Sequence, residues 1–251
     1  MLEQQPPSLQ QRVQQLAQAA IAQADPTAWF EPLYVAAQGD AEQVPWARSG
    51  AHPQVQDWLD QRGGAGAGRA ALVSGCGLGD DAEALAARGF SVTAFDIAPT
   101  AIAWCRERFP NSSVAYQVGD LLHPKPEWLG AFDVVVECRN LQALPLDVRS
   151  EAIASVASLV APSGTLVVVT RLRDADGSEP SQSSQSSQSP QPSPPKPTAP
   201  DGPPWPLSEQ ELAEFGAAGL TERQRQGVEL PVSELPGAAV IRQAWIEYRA
   251  A

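Results

Sequence analysis

The run Ser74-Gly75-Cys76-Gly77-Leu78-Gly79-Asp80-Asp81 has the clearest chemical capacity in this 251-residue chain. Glycines at alternate positions let the backbone turn sharply and approach a bound molecule, because no Cβ stands in the way. The two acids that follow repel phosphate and tolerate a ligand with a positive centre and an amino group. Asp96 lies about 20 residues beyond the first glycine, the separation at which an acid meets ribose hydroxyls. Gly119-Asp120-Leu121 offers a third acid, suited to an adenine amino group. Glu137 and Arg139 follow a fourth apolar run.

These residues need elements to hold them. Ala71, Leu72 and Val73 form a short apolar run, which predicts a strand covered on both faces. Residues 82–88 predict a helix, with Asp80 or Asp81 as its cap and Gly89 closing it. Further strands are expected over 91–95, ending at Asp96, over 114–118, over 132–137, and after the turn Pro162-Ser163-Gly164. Residues 100–109 and 147–160 predict the helices between them, with Ile102, Cys105 and Phe109 turned to the sheet. Ser208 with Glu211 three positions on is a capping box opening another helix. Residues 220–230 and 238–248 predict a closing antiparallel pair. Each chemically capable residue then sits at the end of a strand, where open α/β sheets bind ligands.

Composition narrows the function. Net charge is -12, which argues against a nucleic-acid partner, since phosphate binding needs a basic face. The cysteines are Cys76, Cys105 and Cys138; so sparse and odd a set predicts free thiols in a reducing, cytoplasmic setting. No metal-ligand spacing is found, and His52 and His123 stand far apart. No apolar run is long enough for a membrane span, and no secretory signal is evident. Residues 181–200 hold almost only Ser, Gln and Pro, a composition that cannot bury enough surface to order itself. The chain divides into a helical arm and lid (1–69), a ligand-binding core (70–173), a disordered insertion (174–206) and a completing segment (207–251). Deleting 182–197 is expected to leave the melting temperature nearly unchanged in a thermal scan; a large drop would show that the stretch packs.

Ahead of the core, residues 8–24 predict an amphipathic packing helix, and residues 52–60 another with Pro53 in its first turn. Trp29 and Trp46 fit either a clamp on the arm or a cover over a ligand.

The glycine spacing is G-x-G-x-G, not the G-x-G-x-x-G of dinucleotide sites. S-adenosylmethionine, with its sulfonium and amino groups, meets the charge requirement; a nicotinamide cofactor is the alternative. The ordered set of glycine loop, Asp96, Gly119-Asp120, apolar strand and Pro-Ser-Gly turn resembles the class I S-adenosylmethionine-dependent methyltransferases over roughly residues 70–170. Val44-Pro45-Trp46-Ala47, Asp80-Asp81, Arg139 and Gly202-Pro203-Pro204-Trp205 are similar to the thiopurine S-methyltransferase-like family. Cys138 and Asn140 depart from the residues that flank the arginine in that family.

The resemblance implies a Rossmann-like seven-stranded α/β sheet, mostly parallel with an antiparallel C-terminal strand and helices on both faces. It implies S-adenosylmethionine held by Trp46, Gly75, Cys76, Gly77, Gly79, Asp96, Ile97, Asp120, Leu121 and Glu137. Arg139 would position a small-molecule acceptor, a thiol or other soft nucleophile. The alternatives are O- or N-methylation, a nicotinamide-dependent oxidoreductase and a non-catalytic cofactor-binding protein. A monomer is expected. A salt bridge from Arg139 to Glu137 or Asp147 is the structural alternative for that residue.

Overall fold

The apolar runs become seven strands: β1 (Ala70–Ser74), β2 (Ser91–Asp96), β3 (Ala115–Val118), β4 (Phe132–Cys138), β5 (Val160–Leu172), β6 (Leu220–Pro231) and β7 (Val240–Ala250). The computed structural model describes residues 8–62, 66–173, 202–231 and 240–251. The Ser/Gln/Pro-rich stretch therefore lies outside the described residues. The strands pair in the order β3-β2-β1-β4-β5-β7-β6. β3, β2, β1, β4 and β5 run parallel, and β7 is antiparallel to both β5 and β6. This is the expected Rossmann-like methyltransferase fold.

Burial explains why the central strands read as unbroken apolar runs. Leu72, Val134, Val135, Val136, Leu166, Val167, Val168 and Val169 are all fully buried. Successive residues point to opposite faces, so Leu72, Val135 and Val168 join one core while Val73, Val134 and Val169 join the other. Helices cover both faces. α1 (Leu9–Ala22), α2 (Phe30–Ala37), α6 (Arg149–Ser158) and α7 (Glu209–Ala217) bury Ala17, Leu33, Ile153 and Leu212 in the first core. α3 (Pro53–Gln61), α4 (Asp80–Ala87) and α5 (Pro99–Arg108) bury Val55, Leu85 and Ile102 in the second.

Local chemistry sets the helix starts. Ser208 and Glu211 close the expected capping box on α7, and Ser8 with Gln11 closes a matching one on α1. α4 departs from expectation. Gly79 is its N-cap, at φ +90, and no side chain caps it. Asp80 and Asp81 sit inside the first turn and reach outward instead. Asp80 Oδ1 accepts from Gly50 N at 3.2 Å, and its carboxylate pairs with Arg108 at 2.8 Å. Asp81 Oδ1 accepts from His52 N at 2.6 Å. The acidic pair thus ties down the loop that precedes α3.

β5 is longer than expected and reaches Leu172. The chain leaves it there and is back beside it at Leu207, where the two residues form a parallel bridge. Leu207 N donates to Arg171 O, and Arg173 N to Leu207 O, each at 3.0 Å. All three cysteines are free thiols, with Cys76 and Cys105 buried. Among the described residues, no helix is long and apolar enough to cross a membrane, and no group of three or more His, Cys, Asp or Glu could hold a metal ion.

Candidate active site

One cavity of about 540 Å³ opens at the C-terminal ends of β1, β2, β4 and β5. Parallel α/β sheets place their ligand sites at this edge. Trp46, Gly75, Cys76, Gly77, Asp96, Ile97, Asp120, Leu121 and Arg139 all line it. Gly79 and Glu137 do not.

The glycine loop follows β1 directly. Gly75, Gly77 and Gly79 all have positive φ, between +54 and +90. A Cβ on Gly75 would lie 2.5 Å from the Asn140 side chain, so the loop closes against the segment after β4 only as glycine. A Cβ on Gly79 would lie 2.5 Å from the Tyr116 hydroxyl; that glycine shapes the start of α4 rather than the cavity wall.

Asp96 ends β2 and is buried beneath the loop. Its Oδ2 accepts from Gly77 N at 2.9 Å and its Oδ1 from Ala98 N at 3.0 Å. A carboxylate has about four lone-pair sites, so capacity remains for a ligand's hydroxyl. Burial pushes the Asp96 carboxyl up to about 6, against the pull of the Ala98, Gly77 and Ile97 amides, and the charge of Glu31 adds to the rise. Asp120 follows β3 with Oδ1 on Leu122 N at 2.9 Å and Oδ2 paired to the exposed His123 at 2.8 Å.

Glu137 is fully buried at the end of β4, and burial lifts its carboxyl to about 7. Its Oε1 accepts from Leu141 N at 2.7 Å. Glu137 therefore fixes the short turn Leu141–Ala143, and it is Gln142 and Ala143 of that turn that reach the cavity. The chain passed over the alternative for Arg139: it pairs with neither Glu137 nor Asp147, and donates instead to Gln243 Oε1.

The N-terminal arm forms the opposite wall. Trp46 Nε1 donates to the Tyr34 hydroxyl at 2.7 Å, and a Cβ on Gly77 would sit 3.5 Å from the Trp46 ring. Trp29 is nearly fully buried, stacks on Phe30 with centroids 4.0 Å apart and meets Trp46 edge-on at 5.8 Å. Both tryptophans border the cavity, so packing of the arm and closure of the site are the same contact. The late segment completes the wall. Pro203 and Pro204 line it, and Trp205 N donates to Gln142 O at 2.7 Å.

Sequence reasoning missed Arg48, His52 and Arg171, which also line the cavity. Arg171 carried a readable signal, since a strand extended past Val169 delivers it to the ligand-binding edge. His52 is the N-cap of α3, and its Nδ1 accepts from Gln54 N at 3.2 Å. Burial and the nearby Arg139 and Arg48 pull its pKa down to about 3. It is therefore neutral, and the lone pair engaged at Nδ1 assigns its proton to Nε2.

Comparison with known proteins agrees with this geometry. Residues 71–164 match a family model described as a methyltransferase domain. The ubiquinone biosynthesis O-methyltransferase of Pseudomonas paraeruginosa is 36% identical over 121 residues, 47% of this chain and 51% of the relative. That of Aromatoleum aromaticum is 32% identical over 121 residues, 47% and 50%. The chain spans about half the length of the curated relatives it matches. Among solved structures, the Burkholderia thailandensis 1,6-didemethyltoxoflavin-N1-methyltransferase with bound S-adenosylhomocysteine aligns at TM-score 0.60 and 19% identity, covering 93% of this chain and 89% of that one. The N-methyltransferase NodS of Bradyrhizobium japonicum, in complex with S-adenosylhomocysteine, aligns at TM-score 0.59 and 21% identity, covering 87% and 98%. The matched model over residues 71–164 and the fold shared with solved methyltransferases both fall on the part of the chain that builds the cavity.

Proposed function

We propose that this chain binds S-adenosylmethionine between the glycine loop, Asp96 and Asp120, and transfers its methyl group to a small molecule. The observation that carries the reading is Asp96: a buried carboxylate on the cavity wall, already holding Gly77 N, with lone pairs left for ribose hydroxyls. Gly75, Cys76, Gly77, Ile97 and Leu121 supply the surrounding backbone and apolar surface, and Trp46 covers the loop. When bound, the cofactor supplies an electrophilic sulfonium methyl. The protein's share is alignment of the incoming nucleophile and exclusion of water, which the aromatic wall of Trp29, Phe30 and Trp46 supports.

Methylation on oxygen is the reading we favour, because the relatives matched over the catalytic half are O-methyltransferases. A thiol acceptor is the second reading. It is favoured by His52, whose protonated Nε2 suits a donor and not a base, and by the fact that a thiolate needs no base. Calorimetric titration with S-adenosylmethionine, S-adenosylhomocysteine and NADH tests the cofactor assignment. Saturable binding of the first two and none of the third supports it; binding of NADH alone overturns it. A panel of phenols, carboxylic acids and thiols then separates oxygen from sulfur.

Asp96 gives the cofactor affinity a pH signature. Ribose hydroxyls donate to the ionised carboxylate, so affinity is full above a pKa of about 6 and declines as pH falls through it. Between pH 7 and pH 5 the S-adenosylhomocysteine affinity should drop about tenfold. The variant Asp96→Asn should bind weakly at both values with little slope. A flat wild-type profile would remove Asp96 from the contact.

A further inference from the structure

Two neighbouring parallel strands bring two guanidinium groups to one wall of the cavity. Arg139 follows β4, and Arg171 lies near the end of β5, two residues beyond Val169, the register partner of Cys138. Arg139 N donates to Val169 O at 2.9 Å, which holds the two strand ends level. Arg139 adopts φ +64, a region that residues other than glycine seldom use and that functional sites often retain.

Among the described residues that line the cavity, the buried side-chain atoms without a partner are donors. Arg139 Nε, Arg171 Nε and His52 Nε2 are each buried and each without a hydrogen-bond partner. Guanidinium groups carry no acceptor, and the tautomer of His52 leaves Nε2–H pointing free of its cap. The hydrogen bond from Arg139 goes to Gln243, a neutral amide that leaves its charge uncompensated. Among the described residues, no salt bridge involves Arg48, Arg139 or Arg171. The acid whose charge acts on Arg139 and Arg48 is Asp81, itself engaged by His52 N and by the Cys138 thiol. Burial, with repulsion from Arg171 and Arg48, pulls Arg139 down to about 10. Cations and donors buried without partners cost free energy that an oxyanion on the same spot would recover.

We propose that Arg139, Arg171 and His52 Nε2–H form a seat for a carboxylate of the methyl acceptor, so that the substrate is a carboxylate-bearing small molecule. This deepens the reading above and rests on it. Planar forks match a carboxylate edge-on. The half-buried acid Asp81 beside the seat disfavours a dianion such as phosphate more than a single negative charge. Arg48 lines the same cavity, and its charge reaches both His52 and Arg139.

The test is calorimetry on the intact chain, with and without saturating S-adenosylhomocysteine, using benzoate, benzamide and inorganic phosphate as probes. Benzoate should saturate and exceed both benzamide and phosphate by about tenfold. Arg139→Gln and Arg171→Gln should each weaken benzoate by about tenfold while S-adenosylhomocysteine affinity stays within about threefold. Equal affinity for benzoate and benzamide overturns the proposal, and so does tighter binding of phosphate. Loss of S-adenosylhomocysteine affinity with benzoate unchanged also overturns it, because the guanidinium groups would then hold the cofactor's own carboxylate. A wild-type protein that takes benzoate but not S-adenosylhomocysteine fails the cofactor reading alone. Should either variant fail to fold, the wild-type ratio of benzoate to benzamide decides.

Discussion

Asp96→Ala should weaken S-adenosylhomocysteine binding by about 1–3 kcal/mol, the worth of charge-assisted hydrogen bonds lost from a buried site. The same change should cost little stability at neutral pH. The carboxylate is desolvated, with its folded pKa raised to about 6, above the ordinary carboxylate range. A group raised in this way contributes stability that is full at low pH and is lost as pH rises through the folded value. At pH 7 its ionised form is therefore a burden that the hydrogen bonds from Gly77 and Ala98 only partly relieve. Alanine removes the burden together with those bonds. Calorimetry and a thermal scan on the same sample check both halves. Unchanged affinity would sink the ribose assignment, and a collapse in melting temperature would mean that the carboxylate mainly holds the loop.

Arg149→Ala should destabilise the fold by about 3–5 kcal/mol, the usual cost of removing one partner of a buried ion pair. Arg149 on α6 is 1% exposed. It donates to Glu211 Oε1 at 3.1 Å, to Leu144 O at 2.6 Å and to Trp205 O at 3.2 Å. Three separate pieces of chain meet on this one side chain: the turn after β4, the segment that returns at Gly202, and α7. Glu211 keeps Arg173 at 2.8 Å and Ser208 N at 2.8 Å, so it is not stranded; the two carbonyls are. Because Leu144 borders the cavity and Trp205 N binds Gln142, the loss should also loosen the site. Urea denaturation measures the first effect. A cost below about 1 kcal/mol would assign the wall to apolar packing of Trp205 and Leu207 instead.

What was legible in the sequence was whatever local chemistry encodes. Val134-Val135-Val136 reads as a buried strand because both its faces are covered. Ser208-x-x-Glu211 reads as a helix start because the motif satisfies itself. Gly75 to Asp96 reads as one βαβ unit because the spacing is fixed by the fold. The illegible part was assembled across distance. Arg48, His52, Arg139 and Arg171 come from three segments, and only the parallel register of β4 with β5 and the pull of Asp81 on the loop before α3 bring them to one wall. Asp80 and Asp81 look like caps in sequence, yet Gly79 already occupies that position, which frees both acids to bind the loop. Glu137 looked like a ligand contact since it ends a strand at the right edge; its side chain turns back to the Leu141 amide.

The bridge between Leu172 and Leu207 has a meaning for how this chain can change over generations. Both flanks of the intervening stretch are fastened to each other by backbone hydrogen bonds. Doubling the number of residues between such anchors costs only about 0.6 kcal/mol of closure entropy. Added length between residues 173 and 202 therefore costs the sheet little closure entropy, whereas Pro203, Pro204 and Trp205, which complete the cavity wall, are bound to keep their identity, so lineage-specific sequence or a laboratory affinity handle is best installed ahead of them.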